Sequence, residues 1–397
     1  MGTGLSWPNP RRTDPEFHIR GAKGVHVWGH DDVRLLDMTS GWNVVNAGWG
    51  NEEIAAACQA AISELSFRPA WAADDSLLAL EAEFHRLAPG YVMFSSCTGA
   101  EAVDNALKIA RMATGRPGVL TLDGSYHGSS TGAAMASSEE VPHLEVLGLN
   151  AFRVSIPGPA NDADLEVLRR LLQEREDIGA VVIETVASNA GCISLSVAVL
   201  ERISLLAAQF GIVVICDEIG TGLNRTGSMF SFTLSRMRPD IILLGKALTN
   251  GFYPLSLCLA SHDLVRLVDQ AAFGSTYAAS PLGCSAALAT LAFHKVACLG
   301  ERAAKSGLKL KAALETRLRH SSLYAGLHGC GLELALHVRW KEVRGLNPRL
   351  LLERLHEGGM FATVSAGDCA LMLMPPLTIE EDQLAAAVDI VSAVLME

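Results

Sequence analysis

The apolar segment GIVVICDEIG, residues 211–220, constrains the fold of this chain more than any other stretch. Its centre, from Ile212 to Cys216, is rich in β-branched side chains and lies between glycines. This pattern predicts a strand that is buried on both faces, as in a parallel sheet. Asp217 and Glu218 follow at the carboxyl end of the strand, where α/β proteins bind their ligands. A carboxylate there is partly desolvated, so we expect it to have a charged partner.

Segments typical of strands and helices alternate through the middle of the chain, roughly from VMFSS at 92–96 to LSLCLA at 255–260. Such alternation implies right-handed crossovers and a mostly parallel sheet, that is, an α/β fold. After about residue 285 long helices and short strands follow in a different order, which is typical of an α+β unit. We predict a large domain over 46–285 and a smaller domain formed by 1–45 and 286–397.

The composition limits the function classes that need to be considered. The net charge of −11 is spread along the 397 residues, which argues against nucleic-acid binding through bulk charge. We expect no membrane span and no secretion, because apolar runs are short and the start, MGTGLSWPNPRR, lacks an apolar signal segment. The nine cysteines show no C-x-x-C spacing and are expected to be buried thiols in a reduced cytoplasm, with no bound metal.

One partner for Asp217 would be a magnesium–nucleotide complex, since an apolar strand that ends in acids also describes the Walker B half of a P-loop ATPase. That class requires the motif G-x-x-x-x-G-K-[ST] to wrap the phosphates. The Gly245-Lys246 pair is followed by Ala247, and the position five residues before Gly245 is not glycine. The sequence therefore disfavours an ATPase.

The other partner would be a positively charged cofactor ring. Lys246 also follows an apolar strand, PDIILLG, and a desolvated lysine becomes a nucleophile toward carbonyl groups. The turn from Ser95 to Ala100 places small residues at a helix N-terminus, which suits a phosphate, although Thr98 also suits an ordinary N-cap. SYHGS at 125–129 offers an aromatic ring at another strand end. An acid, an amine, a phosphate site and an aromatic ring are together what pyridoxal 5′-phosphate requires.

With these residues the chain resembles the class III aminotransferases, which are fold type I pyridoxal-phosphate enzymes. The likeness runs from about residue 20 to the C-terminus and is strongest in VVICDEIGTGLNRTGSMFSF, RPDIILLGKAL and YPLSLCLA, in that order. The resemblance implies a large, mostly parallel seven-stranded sheet beside a smaller α+β domain. It also implies a homodimer with active sites at the subunit interface.

The resemblance assigns roles to individual residues. Lys246 is expected to form the Schiff base with the cofactor, and Asp217 to pair with the pyridinium nitrogen. The other expected cofactor contacts are Ile219 and Tyr126 on the two faces of the ring, His127 next to Tyr126, Glu184 as a further acid, Thr98, Gly99 and Ala100 at the phosphate, and Thr276 at the phosphate of the partner subunit.

Several positions depart from the family pattern. Gly220 stands where a glutamine often meets the ring hydroxyl of the cofactor, and Asn189 stands where ornithine-type enzymes carry a gating glutamate. Met372 stands where the family often has an arginine that binds a substrate carboxylate. A guanidinium binds a carboxylate through two hydrogen bonds, and a thioether cannot. A conventional ornithine-like role is therefore in doubt.

Three residues are candidates for a substrate pocket. Trp42 and Trp71 fall where the family builds its pocket, which suggests an apolar or bulky substrate, and core packing explains each of them equally well. Arg68 is a candidate for the missing cation, with a surface arginine as the alternative.

The sequence thus predicts an ω-type aminotransferase in which Lys246 carries the proton from the donor's α-carbon. An aminomutase, a racemase or epimerase, and a decarboxylase use the same Lys246 and Asp217, so they remain alternatives. A protein that binds the cofactor without catalysis is a further one.

Overall fold

The computed structural model describes residues 18–29, 32–138, 142–158, 162–340, 347–365 and 370–396. The elements of its first half are β1 Gly21–Lys23, β2 His26–Trp28, β3 Arg34–Asp37, α1 Ser40–Asn43, α2 Glu52–Glu64, α3 Asp75–Leu87, β4 Tyr91–Ser96, α4 Gly99–Thr114, β5 Gly118–Leu122, α5 Thr131–Ala136, α6 Pro142–Val146, β6 Arg153–Ile156, α7 Asp162–Glu174, β7 Ile178–Ile183, β8 Val186–Ala187, β9 Ile193–Ser194 and α8 Val197–Phe210. The second half follows with β10 Val213–Asp217, β11 Ile241–Leu244, β12 Ser256–Ser261, α9 His262–Val265, α10 Pro281–Val296, α11 Leu299–Leu318, β13 Tyr324–Cys330, β14 Glu333–Val338, α12 Pro348–Glu357, β15 Met360–Phe361, β16 Thr363–Val364, β17 Ala370–Leu373 and α13 Glu381–Met396.

A seven-stranded sheet organises the described residues, with the strand order β4-β12-β11-β10-β7-β5-β6. β10 pairs in parallel with both β7 and β11, and β5 pairs in parallel with β7 and β6. β12 runs antiparallel to β11 and β4. The predicted α/β fold with a mostly parallel sheet is confirmed. β10, which lies within the segment GIVVICDEIG, is the middle strand of the sheet.

Both faces of the large sheet are covered, which is why its central strands are apolar throughout. Every residue of β7, β10 and β11 is buried. Side chains of α4 pack on one face with Val213 and Ile215, whereas side chains of α8 pack on the other face with Val214 and Cys216. Each fully buried valine or isoleucine contributes about 1.5–3 kcal/mol to folding.

The two ends of the chain meet in a second layer. β15, near the C-terminus, pairs in parallel with β3 and extends the β1-β2-β3 sheet. A separate four-stranded sheet has the order β13-β14-β17-β16. One apolar cluster contains both Leu36 of β3 and Leu310 of α11. These contacts are consistent with a small domain built from both ends of the chain, while its boundaries at 45/46 and 285/286 stay a prediction.

Helices α10 and α11 follow one another closely along the chain. Among the described residues, no single helix combines the length and the composition needed to cross a bilayer. α10 and α11 meet that test only together, and they are bent by 61° at the break between them. Each buries one face inside the protein, with Ala286 of α10 and Leu310 of α11 in the same apolar cluster.

Gly307 allows α11 to approach the β13–β14 hairpin closely. A methyl group at this position would overlap the carbonyl oxygen of Gly331 in the hairpin. We therefore expect Gly307→Ala to lower the free energy of unfolding by about 1–3 kcal/mol, the usual result of overpacking. Gly274→Ala is the control, because nothing lies within 4 Å of its added methyl group. Urea unfolding measures both variants, and equal stabilities would contradict the prediction.

Candidate active site

The candidate site lies at the carboxyl edge of the large sheet. β10 and β11 end at this edge, and the antiparallel β12 begins there. Asp217 is the last residue of β10 and is paired with Leu243 of β11. Lys246 follows two residues after β11 ends, with a positive φ of 44°. Because β12 runs in the opposite direction, it begins at this edge, and its first residue, Ser256, pairs with Ser96 at the end of β4.

The carboxylate of Asp217 is fixed by two hydrogen bonds. Its Oδ2 lies 2.6 Å from Nδ1 of His127, and its Oδ1 accepts the backbone N–H of Ile219 at 2.9 Å. The side chains of Asp217 and His127 are 5% and 0% exposed. Burial by itself lowers the pKa of His127, but the hydrogen bond and the charge of Asp217, with the charge of Glu184, outweigh it and raise the pKa. A protonated His127 therefore pairs with Asp217.

Glu184 is a second buried acid at this edge. Its Oε2 accepts the backbone N–H of Tyr126 at 3.4 Å, so it holds the loop that carries Tyr126 and His127. Burial raises the pKa of Glu184 to about 7. The charge of Asp217 adds to this rise, and the charges of His127 and Lys246 oppose it. Three other residues predicted from the sequence, His127, Asp217 and Lys246, therefore lie close enough to Glu184 for their charges to act on it.

The turn before α4 leaves backbone N–H groups open at the same edge. Thr98 is the N-cap of α4, and its hydroxyl accepts the N–H of Glu101 at 3.3 Å. Glu101 in return accepts the N–H of Thr98 at 3.0 Å, which completes a capping box. Among the described residues, no hydrogen-bond acceptor is found for the N–H groups of Gly99 and Ala100. These two N–H groups, at the positive end of a long helix, can bind an anion.

Ile219 connects this turn to the ends of β10 and β11. A Cβ added at Gly99 would stand 3.0 Å from Cδ1 of Ile219, and one added at Gly245 would stand 3.5 Å from its Cγ2. On the other side, a Cβ on Gly128 would stand 2.7 Å from Cβ of Ala100. The loop of Tyr126, the turn of Gly99 and the end of β10 thus surround one space.

Three polar residues beside Lys246 were missed by the sequence interpretation. Glu333 is fully buried, and its two oxygens accept hydrogen bonds of 2.6 Å each from Ser188 Oγ and Asn43 Nδ2. Together, Asn43, Ser188 and Glu333 form what we name the Glu333 cluster. The signal in the sequence is Glu333, the one acid in the mostly apolar segment GLELALHV.

Trp42 and Met372 belong to an apolar wall near the Glu333 cluster. Met372 is fully buried in β17 and packs with Cys192, Ala335 and Met374, and the partly buried Trp42 packs against the same group. The position expected to hold a carboxylate-binding arginine is therefore buried, apolar and uncharged. The structure places Trp42 where it can form part of a substrate pocket, and that role stays a prediction.

The remaining residues predicted from the sequence are Arg68, Trp71 and Thr276. The guanidinium of Arg68 is buried, forms an ion pair with Asp74 at 2.8 Å and donates to backbone carbonyls of residues 69, 72 and 279. These contacts argue against both the substrate-binding role and the surface arginine. Trp71 is 91% exposed, which argues against a pocket position within one chain. Thr276 is exposed as well, so its expected role depends on a partner subunit.

Comparison with known proteins identifies the family. The family model for class III aminotransferases matches residues 9–395. This chain is a class III aminotransferase. The family predicted from the sequence is confirmed, together with its fold type I architecture, its transamination activity and its use of pyridoxal 5′-phosphate.

Individual relatives of this class III aminotransferase agree with the family match. It is 28% identical over 382 residues to the 5-aminovalerate aminotransferase DavT of Pseudomonas aeruginosa, covering 91% of this chain and 89% of the relative. It is 31% identical over 297 residues to a 2-aminoadipate transaminase of Pseudomonas putida, covering 70% of this chain and 71% of the relative. An amine transaminase structure from an uncultivated Pseudomonas species, solved with pyridoxal phosphate bound, superposes with a TM-score of 0.89 at 25% identity, covering 100% of this chain and 98% of that one.

The buried position of Glu184 makes the stability of this aminotransferase depend on pH. Folding raises the pKa of Glu184 from 4.5 to about 7, so the folded chain keeps a proton that the unfolded chain releases within this range. The free energy of unfolding therefore falls as the pH rises through that window, by up to about 3 kcal/mol.

In cofactor-free protein we expect Glu184→Gln to remove most of this fall. The measurement is urea unfolding at intervals from about pH 4 to about pH 8, where the proton is released. The exposed Glu64→Gln serves as the control and should keep the wild-type slope. A Glu184→Gln variant with the same pH slope as the wild type would contradict the assignment.

Proposed function

We propose that this chain is an ω-type transaminase in which Lys246 bonds the cofactor covalently and Asp217 pairs with its ring nitrogen. The observation that carries the proposal is that these two residues lie at the same edge of the sheet as the turn before α4. In that turn the N–H groups of Gly99 and Ala100 lack acceptors. Asp217, Lys246 and the turn each come from a different strand end, so packing of the sheet itself fixes their relative positions. Lys246 would hold the cofactor through its Nζ atom, since an amine is a nucleophile toward an aldehyde.

The residues at the open turn fit the phosphate group of the cofactor. The N–H groups of Gly99 and Ala100 lack internal acceptors, and the capping box of Thr98 and Glu101 keeps the helix end ordered without using them. A phosphate accepts hydrogen bonds from such groups and is stabilised by the dipole of α4. This fit supports Thr98, Gly99 and Ala100 as the phosphate-binding residues.

The residues around Asp217 fit the ring of the cofactor. A carboxylate has about four lone-pair sites, and Asp217 uses two of them for His127 and Ile219. It can therefore accept a further hydrogen bond from a protonated ring nitrogen. His127 holds the carboxylate in place, and Glu184 holds the backbone of Tyr126, so both act as positioning residues. We propose that Tyr126 and Ile219 cover the two faces of the ring.

When bound, the cofactor supplies an electron sink for the bond that breaks at the substrate's α-carbon. Lys246 takes the proton from that carbon and later returns one, as a general base and acid. Its half-buried position excludes much of the water that would compete for this proton. Asp217 and His127 hold opposite charges next to each other, which limits the cost of burying either of them.

Features of the substrate side support the ω-type assignment. Met372 and Trp42 present an apolar wall where a carboxylate-binding arginine would stand. Relatives include enzymes named for 5-aminovalerate and 4-aminobutyrate, whose amino groups lie far from a carboxylate, and an amine transaminase. We propose that this chain likewise accepts amino groups that are not flanked by a carboxylate.

Replacement of Lys246 tests the proposal directly. Borohydride should fix a pyridoxyl label on Lys246 of the native enzyme, and Lys246→Ala should lose the label. The half-reaction with an amine donor should slow by at least about 10³-fold, because the general base is lost. Lys305→Ala, which removes an exposed lysine, should keep both properties. A label on another side chain would contradict the role of Lys246, and a labelled enzyme that never releases a carbonyl product would favour an aminomutase, racemase, decarboxylase or non-catalytic protein.

We also propose a homodimer in which Thr276 reaches the phosphate held by the partner subunit. Thr276 is exposed in the single chain, and Ser275 next to it contacts Cys97, which precedes the phosphate-binding turn. The surface that carries Thr276 therefore borders the site and is free for a second copy.

The expected effect of Thr276→Ala is a roughly tenfold weaker affinity for pyridoxal 5′-phosphate, from the loss of one hydrogen bond to a charged group. Affinity for pyridoxal, which lacks the phosphate, should not change. Thr316→Ala, on the exposed side of α11, is the matched control. Sedimentation of the holoenzyme should show a dimer, and a monomer with full cofactor affinity would contradict this proposal.

A cytoplasmic location is a further proposal. All eight cysteines in the described part of the chain are free thiols. Unpaired cysteines are typical of proteins in a reducing compartment.

A further inference from the structure

Gly220 leaves a space beside the amine of Lys246 that polar atoms surround. A Cβ at position 220 would stand 3.4 Å from Ser188 Oγ, 3.5 Å from Lys246 Nζ and 3.9 Å from Asn43 Nδ2. These are ordinary contact distances, so the three side chains border the space without closing it. They come from the segment before β9, the end of β11 and α1, and only the fold brings them together.

Glu333 decides which way the polar groups of the cluster face. Both oxygens of Glu333 accept hydrogen bonds, so the hydroxyl proton of Ser188 and one N–H of Asn43 are committed to Glu333. Ser188 is left with oxygen lone pairs and no proton to donate. Oδ1 of Asn43 is buried and has no hydrogen-bond partner among the described residues. The cluster therefore offers acceptors that lack a donor.

Two cations near Glu333 counteract the effect of its burial. Burial raises the pKa of Glu333, and the charges of Arg225 and Lys246 oppose the rise. The guanidinium of Arg225 is itself buried and donates to Ser40, to Asn46 and to backbone carbonyls of residues 332 and 375. All of these contacts direct Arg225 at protein groups. Its charge partly offsets that of Glu333.

A substrate amine that reacts at Lys246 brings the groups on its neighbouring carbon close to this space. A carboxylate there would meet the acceptors of Ser188 and Asn43 in front of the buried charge of Glu333, with Met372 instead of a cation in the adjoining wall. A hydroxyl or a second amine would instead donate to those acceptors. An unpaired buried acceptor is costly, so a donating group there is stabilised.

We propose that Asn43, Ser188 and Glu333 form a specificity subsite for a hydrogen-bond donor on the carbon next to the reacting one. The favoured substrates are vicinal amino alcohols and diamines, and α-amino acids are disfavoured. The inference rests on the proposed function, because the bond to Lys246 fixes where the substrate reacts. Glu333 acts as a positioning residue, since it orients Asn43 and Ser188.

The test compares donors that differ only in the group next to the reacting carbon. The holoenzyme is mixed with 2-amino-1-propanol, 1,2-diaminopropane, isopropylamine or alanine, and the visible absorbance of the bound cofactor is followed without an acceptor. We expect the amino alcohol or the diamine to react at least about tenfold faster than alanine, because like charges at close range are strongly disfavoured. A faster reaction with only one of the two identifies which donating group the subsite takes.

Two variants separate the role of the cluster from a general defect. Glu333→Gln keeps the shape and removes the charge, so the preference over alanine should shrink by about tenfold. Ser188→Ala removes one acceptor with little change in volume, and should slow the amino alcohol more than isopropylamine. Ser392→Ala is the control, because Ser392 is a buried serine of α13. The preference of this variant for the amino alcohol over alanine should equal that of the wild type.

The outcomes distinguish the subsite from the proposed function. A wild-type enzyme that converts alanine as fast as the amino alcohol and the diamine overturns the subsite and leaves the function intact. Unchanged preferences in folded Glu333→Gln and Ser188→Ala overturn it too. A labelled Lys246 with no reaction toward any of the four donors overturns the proposed function and the subsite together.

Discussion

The buried pair of Asp217 and His127 is the interaction on which the rest of the site depends. Asp217 ends a central strand of the large sheet that is buried throughout, where an unpaired carboxylate would be expensive. His127 provides the opposite charge at 2.6 Å, and its loop is held in turn by Glu184. The carboxylate can therefore keep one direction and still have room for a ring nitrogen. Without this pair, the carboxylate of Asp217 would lose one of the two hydrogen bonds that fix its direction.

The antiparallel strand β12 has an equally direct consequence for the site. Because it reverses between β4 and β11, the chain returns to the carboxyl edge at Ser256. Ser256 donates to the backbone carbonyl of Thr98 at 2.6 Å, so the start of β12 fastens the phosphate-binding turn to the sheet. β12 also pairs with β11, the strand that precedes Lys246. The separation of the turn from Lys246 is therefore set by two paired strands of the sheet and not by a flexible loop.

The Glu333 cluster shows how this chain departs from the pattern that its motifs predict. Gly220 and Met372 stand where the family pattern often has a glutamine and an arginine. The sequence shows that these two polar groups are missing, but not what takes their place. In the structure the space at Gly220 is bordered by Ser188 and Asn43, both held by a buried acid. The site has therefore exchanged one set of polar contacts for another, with the opposite preference for charge.

The sequence by itself determined the mostly parallel sheet and the buried strand that ends at Asp217, and it predicted Lys246 at the end of another strand, because apolar runs and strand-end residues are local patterns. Only the tertiary structure decided what surrounds them. Glu333 lies more than a hundred positions after Ser188, and their contact depends on β14 coming to lie beside the segment that follows β8. The same holds for Arg68, a buried structural residue because the carbonyl of Ala279 comes within 2.8 Å of it. Contacts between distant segments leave no periodic trace in a single sequence, so burial and partners at these positions had to come from the fold.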